Sequence, residues 1–104
     1  MAEIIWTEPA LGDLDEIAEY IALSNIQAAK ALIQKIFSKV DRLADHPKSG
    51  KVPAELKSLA YREVVVNPCR IFYKIEDDTV YILHVVRQER DLQNYLIEKQ
   101  TRSL

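Results

Sequence analysis

The sequence predicts an α+β fold of order β-α-α-β-β-β, an N-terminal helical hairpin packed on an antiparallel sheet. Three observations predict it. Apolar residues recur at three- and four-residue spacing through the first half, with Leu11, Leu14, Ile17, Ala18 and Ile21 followed by Ile26, Ala29, Ile33, Ile36, Phe37, Val40 and Leu43. From Tyr61 onward the pattern changes to β-branched and aromatic runs. Helices followed by strands, rather than alternating with them, place the helices on one side of an antiparallel sheet.

The elements follow in order. Glu3-Ile4-Ile5-Trp6 reads as a short first strand. Thr7 offers a hydroxyl cap to a helix whose first turn contains Glu8 and Pro9, where a carboxylate meets the helix dipole and proline loses no hydrogen bond. Asp13, Asp15, Glu16 and Glu19 are assigned to the solvated side of that helix, which should stop near Ser24-Asn25. Asn25 caps the second helix, which ends before His46-Pro47 because a residue preceding proline is pushed out of the helical region. Residues 46–58, punctuated by Pro47, Gly50 and Pro53, are predicted to be irregular. Tyr61–Asn67 and Cys69–Ile75 read as two strands broken by Pro68, and Glu76–Thr79 as a turn. Val80–Arg87 is apolar on both faces, as expected of a central or covered strand. Asp91–Leu96 could form a short C-terminal helix.

Composition narrows the function. The 104 residues are one domain's worth, with no internal repeat, so residues 1–104 are read as a single domain. Fourteen Lys and Arg face sixteen Asp and Glu, for a net charge of −2. A chain that chiefly grips nucleic acid is usually basic, so any basic patch must be local. Cys69 is the lone cysteine, which fits a reducing cytoplasm; it is expected to be buried and inert. The N-terminus has no signal-peptide pattern and no apolar run approaches membrane-spanning length, so a cytoplasmic protein with no membrane partner is expected. Two histidines and one cysteine without ligand-like spacing predict no metal site, and no phosphate loop or nucleophile elbow implies a cofactor or hydrolase chemistry.

Several motifs in this order resemble the ParE/RelE toxin superfamily of type II toxin–antitoxin systems, over nearly the whole chain. They are Glu3 to Ala10, Asp13-Leu14 with Ile17 to Ile21, His46-Pro47 followed by Gly50, Tyr61 to Val64, Cys69 to Tyr73, and Val80 to Leu92. The resemblance implies a RelE-like fold and a toxin neutralised by a cognate antitoxin. Some members cut messenger RNA on the ribosome; ParE-like members poison DNA gyrase.

The residues bear on that division. Cutting RNA through its 2′-hydroxyl needs a base, an acid and cations for the phosphorane charge. A RelE-like reading would assign Arg62, Arg70 and Arg87 to that work. Arg87 cannot shuttle protons, since a guanidinium keeps its charge at any physiological pH, and Tyr95 lies eight residues beyond it. His84 sits within an apolar strand and is expected to be a satisfied core or interface histidine. The ParE-like branch is therefore favoured, with Arg62, Arg70, Arg87, Arg90 and Tyr95 as candidate target-binding residues and no catalytic set. The bland alternative makes Arg62 and Arg70 cross-strand neighbours salt-bridged to Glu63, Glu76 or Asp91.

The resemblance also implies partners: a ParD-like antitoxin of the ribbon-helix-helix type, gyrase, and operator DNA only through the antitoxin. The candidate antitoxin contacts are Ile17, Ile21, Ile36, Val40, Val64 and Phe72, along apolar grooves between hairpin and sheet. Two alternatives stand beside the gyrase reading: a ribosome-dependent mRNA endonuclease, and a non-toxic module that only binds an antitoxin.

Overall fold

In a computed structural model, the structure describes residues 1–87. The Arg90 and Tyr95 assignments and the short helix at 91–96 lie outside the described residues. The described elements are strand β1 (Glu3–Trp6), helices α1 (Glu8–Ala22) and α2 (Ile26–Asp41), and strands β2 (Arg62–Val66), β3 (Cys69–Glu76) and β4 (Thr79–Arg87). Among the described residues, no helix is long and apolar enough to cross a membrane.

Both expected caps form. Thr7 Oγ1 accepts from the Ala10 N–H at 3.4 Å, and Asn25 Oδ1 accepts from the Ala28 N–H at 3.0 Å. The Thr7 hydroxyl also donates to the Ile82 carbonyl at 2.6 Å, which fixes the start of α1 against β4.

The sheet order is β1-β4-β3-β2. The antiparallel arrangement expected from the sequence holds for β2, β3 and β4, whereas β1 pairs parallel to β4, from Glu3 opposite Thr79 to Trp6 opposite Ile82. The sheet is therefore mixed. The helical hairpin carries the chain from β1 back to the same end of the sheet, and a crossover of that kind permits a parallel neighbour. β4 is thus bonded along both edges, and it packs Val80, Ile82 and Val85 into the main core and Val86 into a smaller cluster on the other face, which accounts for its lack of a polar face.

β3 and β4 are joined by a two-residue loop in which Asp77 takes a left-handed conformation, φ 53°, which aspartate tolerates better than most residues. Their register shifts between Phe72 and Tyr73: Phe72 lies opposite His84 but Tyr73 opposite Ile82, so Leu83 is an extra residue on β4.

The core lies between the hairpin and the sheet. Ile36, Val40 and Leu43 from the second helix and the turn after it meet Ile71, Tyr73, Val80 and Ile82 of the sheet, all fully buried. Cys69 is buried among them. Phe37, placed by spacing on the apolar stripe of α2, stays partly exposed and instead tilts against Trp6, with ring centroids 4.9 Å apart. A smaller cluster of Leu56, Phe72 and Val86, flanked by Tyr61, covers the opposite face.

The irregular 46–58 stretch contains two short 3-10 turns, Pro47–Ser49 and Ala54–Leu56, and a bridge between Lys51 and Glu63. It closes on Tyr73, whose hydroxyl donates to the Pro47 carbonyl at 2.7 Å and accepts from the Gly50 N–H at 2.9 Å. Burial pushes the Tyr73 phenol above its ordinary pKa. Glycine is required at position 50 by this closeness: a Cβ there would stand 2.5 Å from the Tyr73 hydroxyl and 2.7 Å from the Glu63 carbonyl.

Candidate functional site

The arginines predicted as a shared surface separate once the strands pair. Arg62 lies opposite Tyr73 and Arg87 opposite Cys69, so both start on the face that the helices cover. Arg70 lies opposite Val65 and Val86, on the other face. Tyr73 and Cys69 are four residues apart on β3, about 13 Å along an extended strand. Arg62 and Arg87 therefore stand four β3 residues apart along the sheet, on the two strands that flank β3.

Each is also occupied differently. Arg62 Nη1 donates to the Lys48 carbonyl at 3.2 Å and the Gly50 carbonyl at 2.9 Å. It therefore pins the loop with neutral partners and keeps its net charge. A salt bridge from Arg62 to Glu63 or Glu76 does not form, because its side chain follows Tyr73 to the loop side.

Arg70 does take the salt bridge anticipated with Glu63. Its Nε donates to Glu63 Oε2 at 2.7 Å, and Nη1 and Nη2 donate to the two oxygens of Glu55 at 2.7 and 3.0 Å. Its guanidinium also lies 5.0 Å from the Phe72 ring centroid. This bidentate arrangement lowers the Glu55 pKa to about 2 and raises that of Arg70. The triad carries one positive and two negative charges, so Arg70 offers little net attraction to a phosphate. The guanidinium of Arg87 lies 5.2 Å from the ring centroid of Tyr20 on α1.

His84 finds a partner that the sequence had assigned elsewhere. Asp13, expected on a solvated face, is 2 % exposed. Its Oδ2 accepts from the Val85 N–H at 3.1 Å and lies 3.2 Å from His84 Nδ1. A carboxylate so deeply buried requires such partners. The signal was in the spacing: Asp13 falls three residues after Ala10 and four before Ile17, on the core stripe itself.

The predicted antitoxin contacts divide as well. Ile36 and Val40 are fully buried, and Val64 and Phe72 nearly so, within this chain's own clusters. A partner could reach Ile36 or Val40 only by opening the core. Ile17 and Ile21 are half-buried at its margin. Beside them the outer side of the hairpin holds an apolar groove of about 450 Å³, lined by Ala18, Ala22, Ile26, Ala29 and Ile33 and rimmed by Glu19 and Lys30. Sequence reasoning had placed Ile26 on the core stripe, yet it is 60 % exposed. The periodicity found Ala18, Ile26, Ala29 and Ile33 but assigned all of them to the core stripes, whereas together with Ala22 they line this outer groove. Among the described residues, no group of three or more His, Cys, Asp and Glu could hold a metal.

Comparison with known proteins agrees with this architecture. Residues 4–92 match the family model described as ParE toxin of type II toxin–antitoxin system, parDE. The chain is 35 % identical over 86 residues to Toxin RelE2 of Caulobacter vibrioides, covering 82 % of this chain and 93 % of that one. It is 28 % identical over 100 residues to Toxin ParE3 of the same organism, covering 95 % and 99 %. In structure it resembles a chain of the chromosomal ParDE toxin–antitoxin system from P. aeruginosa, with a TM-score of 0.72, 25 % identity, and coverage of 86 % and 98 %. A chain of the RelBE2 toxin–antitoxin complex of Mycobacterium tuberculosis shares the fold, with a TM-score of 0.55 at 20 % identity over 83 % of this chain and 96 % of that one. A hairpin laid on a four-stranded mixed sheet, matched in sequence over nearly its full length, places this chain in the ParE toxin family of type II toxin–antitoxin systems.

Proposed function

We propose that this toxin works in the cytoplasm by binding rather than by catalysis, poisoning DNA gyrase and so blocking replication, and that a ParD-like ribbon-helix-helix antitoxin neutralises it. The observation that carries the reading is the state of the arginines. Arg70 is compensated by two carboxylates, Arg62 is spent on loop carbonyls, and Arg87 lies against Tyr20. Transfer of a proton to a leaving oxygen needs an uncommitted titrating group beside such cations, and the carboxylates beside Arg70, Glu55 and Glu63, are engaged in its ion pairs. The nearest histidine by sequence, His84, is turned toward Asp13. Operator DNA would be reached only through the antitoxin.

The antitoxin reading is supported by the structural neighbour from P. aeruginosa, which belongs to a ParDE toxin–antitoxin system. The apolar hairpin groove beside Ile17 and Ile21 is the surface offered to an amphipathic helix.

The test is a supercoiling and cleavage assay with purified toxin, gyrase and plasmid. Trapped gyrase–DNA cleavage complexes are expected, with filamentation on induction in cells. Ribosome-dependent cleavage of transcripts within codons, lost in Arg62→Ala, would establish the endonuclease reading instead. Harmless overexpression with neither effect would leave an antitoxin-binding module.

A further inference from the structure

The two helices of the hairpin carry opposite charge. Between Glu8 and Ala22, α1 has the acids Glu8, Asp13, Asp15, Glu16 and Glu19 and no basic residue. Between Ile26 and Asp41, α2 has Lys30, Lys35 and Lys39 against the single acid Asp41, and Arg42 follows it. Lys35, Lys39 and Arg42 stand at spacings of four and three, so they stack along one exposed side of α2 and the turn after it. Among the described residues, none of the three has an ion pair or hydrogen bond through its side chain. With Gln34 and Ser38 they line an open groove of about 530 Å³, and among the described residues no acidic or aromatic side chain lines it.

Neither packing nor helix physics accounts for this stripe. Like charges at these spacings repel one another. The helix dipole favours cations in the last turn, which suits Lys39 and Arg42 but does not reach Lys35 a turn earlier. The stripe is the local basic patch that a net charge of −2 conceals. A helix rises about 1.5 Å per residue, so the three cations span about 10 Å. One strand of duplex DNA carries a phosphate about every 3.4 Å, or about three over the same length. Gln34 and Ser38, exposed on the same side, are donors of the kind that bond phosphate and sugar oxygens.

We infer that Lys35, Lys39 and Arg42 grip the phosphate backbone of duplex DNA, and that in the gyrase complex proposed above they hold the DNA segment gyrase has bound. The second half rests on the gyrase reading; the first does not. The aliphatic and polar lining of the groove favours a duplex over a single strand, whose binding draws on aromatic side chains that stack with bases. Phosphate contacts carry no sequence information, so the choice of operator stays with the antitoxin. The exposed carboxylates of α1, Glu8, Asp15, Glu16 and Glu19, repel the same backbone, so the hairpin approaches DNA with α2 leading.

The experiment measures fluorescence anisotropy of a short labelled DNA duplex, titrated with the full-length protein at several salt concentrations. Three phosphate contacts predict that the logarithm of the binding constant falls with that of salt at a slope of about −2.7. Each of Lys35→Gln, Lys39→Gln and Arg42→Gln should flatten the slope by about 1, and the triple substitution should weaken binding about tenfold or more. Lys57→Gln, on another exposed surface, should leave both unchanged. Circular dichroism melts should show the triple variant at least as stable as the wild type, since it relieves repulsion. No binding at low salt, a slope that the triple variant retains, or tighter binding of single-stranded RNA of the same length overturns the inference. A cleavage assay with gyrase separates its two halves. The triple variant should bind DNA-free gyrase as the wild type does and trap about tenfold fewer cleavage complexes. Equal trapping overturns the contact with gyrase-held DNA. If the wild type traps none, the gyrase reading itself falls, and the duplex titration alone decides what the stripe binds.

Discussion

The two faces of the sheet are built on different physics. The face under the helices is held by shape: Ile36, Val40, Leu43, Ile71, Tyr73, Val80 and Ile82 exclude water completely. Among the described residues, the opposite face holds a small cluster of Leu56, Phe72 and Val86 with Tyr61 packed against it, and beside them the Arg70 triad with Glu55 and Glu63. Apolar packing is indifferent to salt and pH, whereas half-exposed ion pairs are sensitive to both. The difference teaches where this toxin can change without unfolding. The covered face fixes the fold, and the ion pairs of the opposite face adjust it with pH and salt.

Four substitutions sharpen or break that contrast. Ile36→Ala on the covered face should lower unfolding free energy by about 3–4 kcal/mol, equally at low and high salt, as urea titrations would show. A salt-dependent loss there would erase the distinction. Gly50→Ala, at the rim where loop, β2 and Tyr73 meet, should cost about 2–3 kcal/mol by forcing the Glu63 carbonyl and the Tyr73 ring apart. Neutral behaviour in the same titration would mean that the loop yields freely. Asp13→Ala strands the Val85 N–H and should cost about 2 kcal/mol, with a change in the His84 ring chemical shifts by NMR.

Glu55→Gln on the open face should cost least, about 0.5–1 kcal/mol at pH 7, because its side chain is 41 % exposed and screened by solvent. The sign follows from its lowered pKa. Arg70 depresses the Glu55 pKa from 4.5 to about 2, so its contribution is present above pH 4.5 and is lost as pH falls toward 2. The gap between wild type and Glu55→Gln should therefore close over that window and in molar salt. A gap as wide as that of Ile36→Ala would mean that the open face is structural in the same sense as the core.

The sequence shows the hairpin and the three-stranded meander well, because both rest on local periods. Thr7 and Asn25 announce their helices by side-chain chemistry alone. The parallel pairing of β1 has no local signature, since Glu3 meets Thr79 only after the whole hairpin is placed. The separation of Arg62 from Arg70 was within reach. Once Asn67-Pro68 is a two-residue loop, Arg62 falls opposite Tyr73 and Arg70 opposite Val65, which sends them to opposite faces. The second carboxylate on Arg70 was not, because Glu55 comes from the loop whose path no pattern reveals. Ile36 and Val40 illustrate a further limit. Helical spacing finds the apolar stripe but does not say whether this chain or a partner covers it, and here the chain covers it.

The last described strand occupies the middle of the sheet, with the first strand zipped along its flank. A ribosome that has not yet delivered residues 79–87 therefore carries a protein whose first strand has nothing to pair with and whose core is open on one side. Folding of the sheet must wait for this strand, as expected where contacts join distant parts of a chain. Fragments released before residues 79–87 are complete would lack the native sheet.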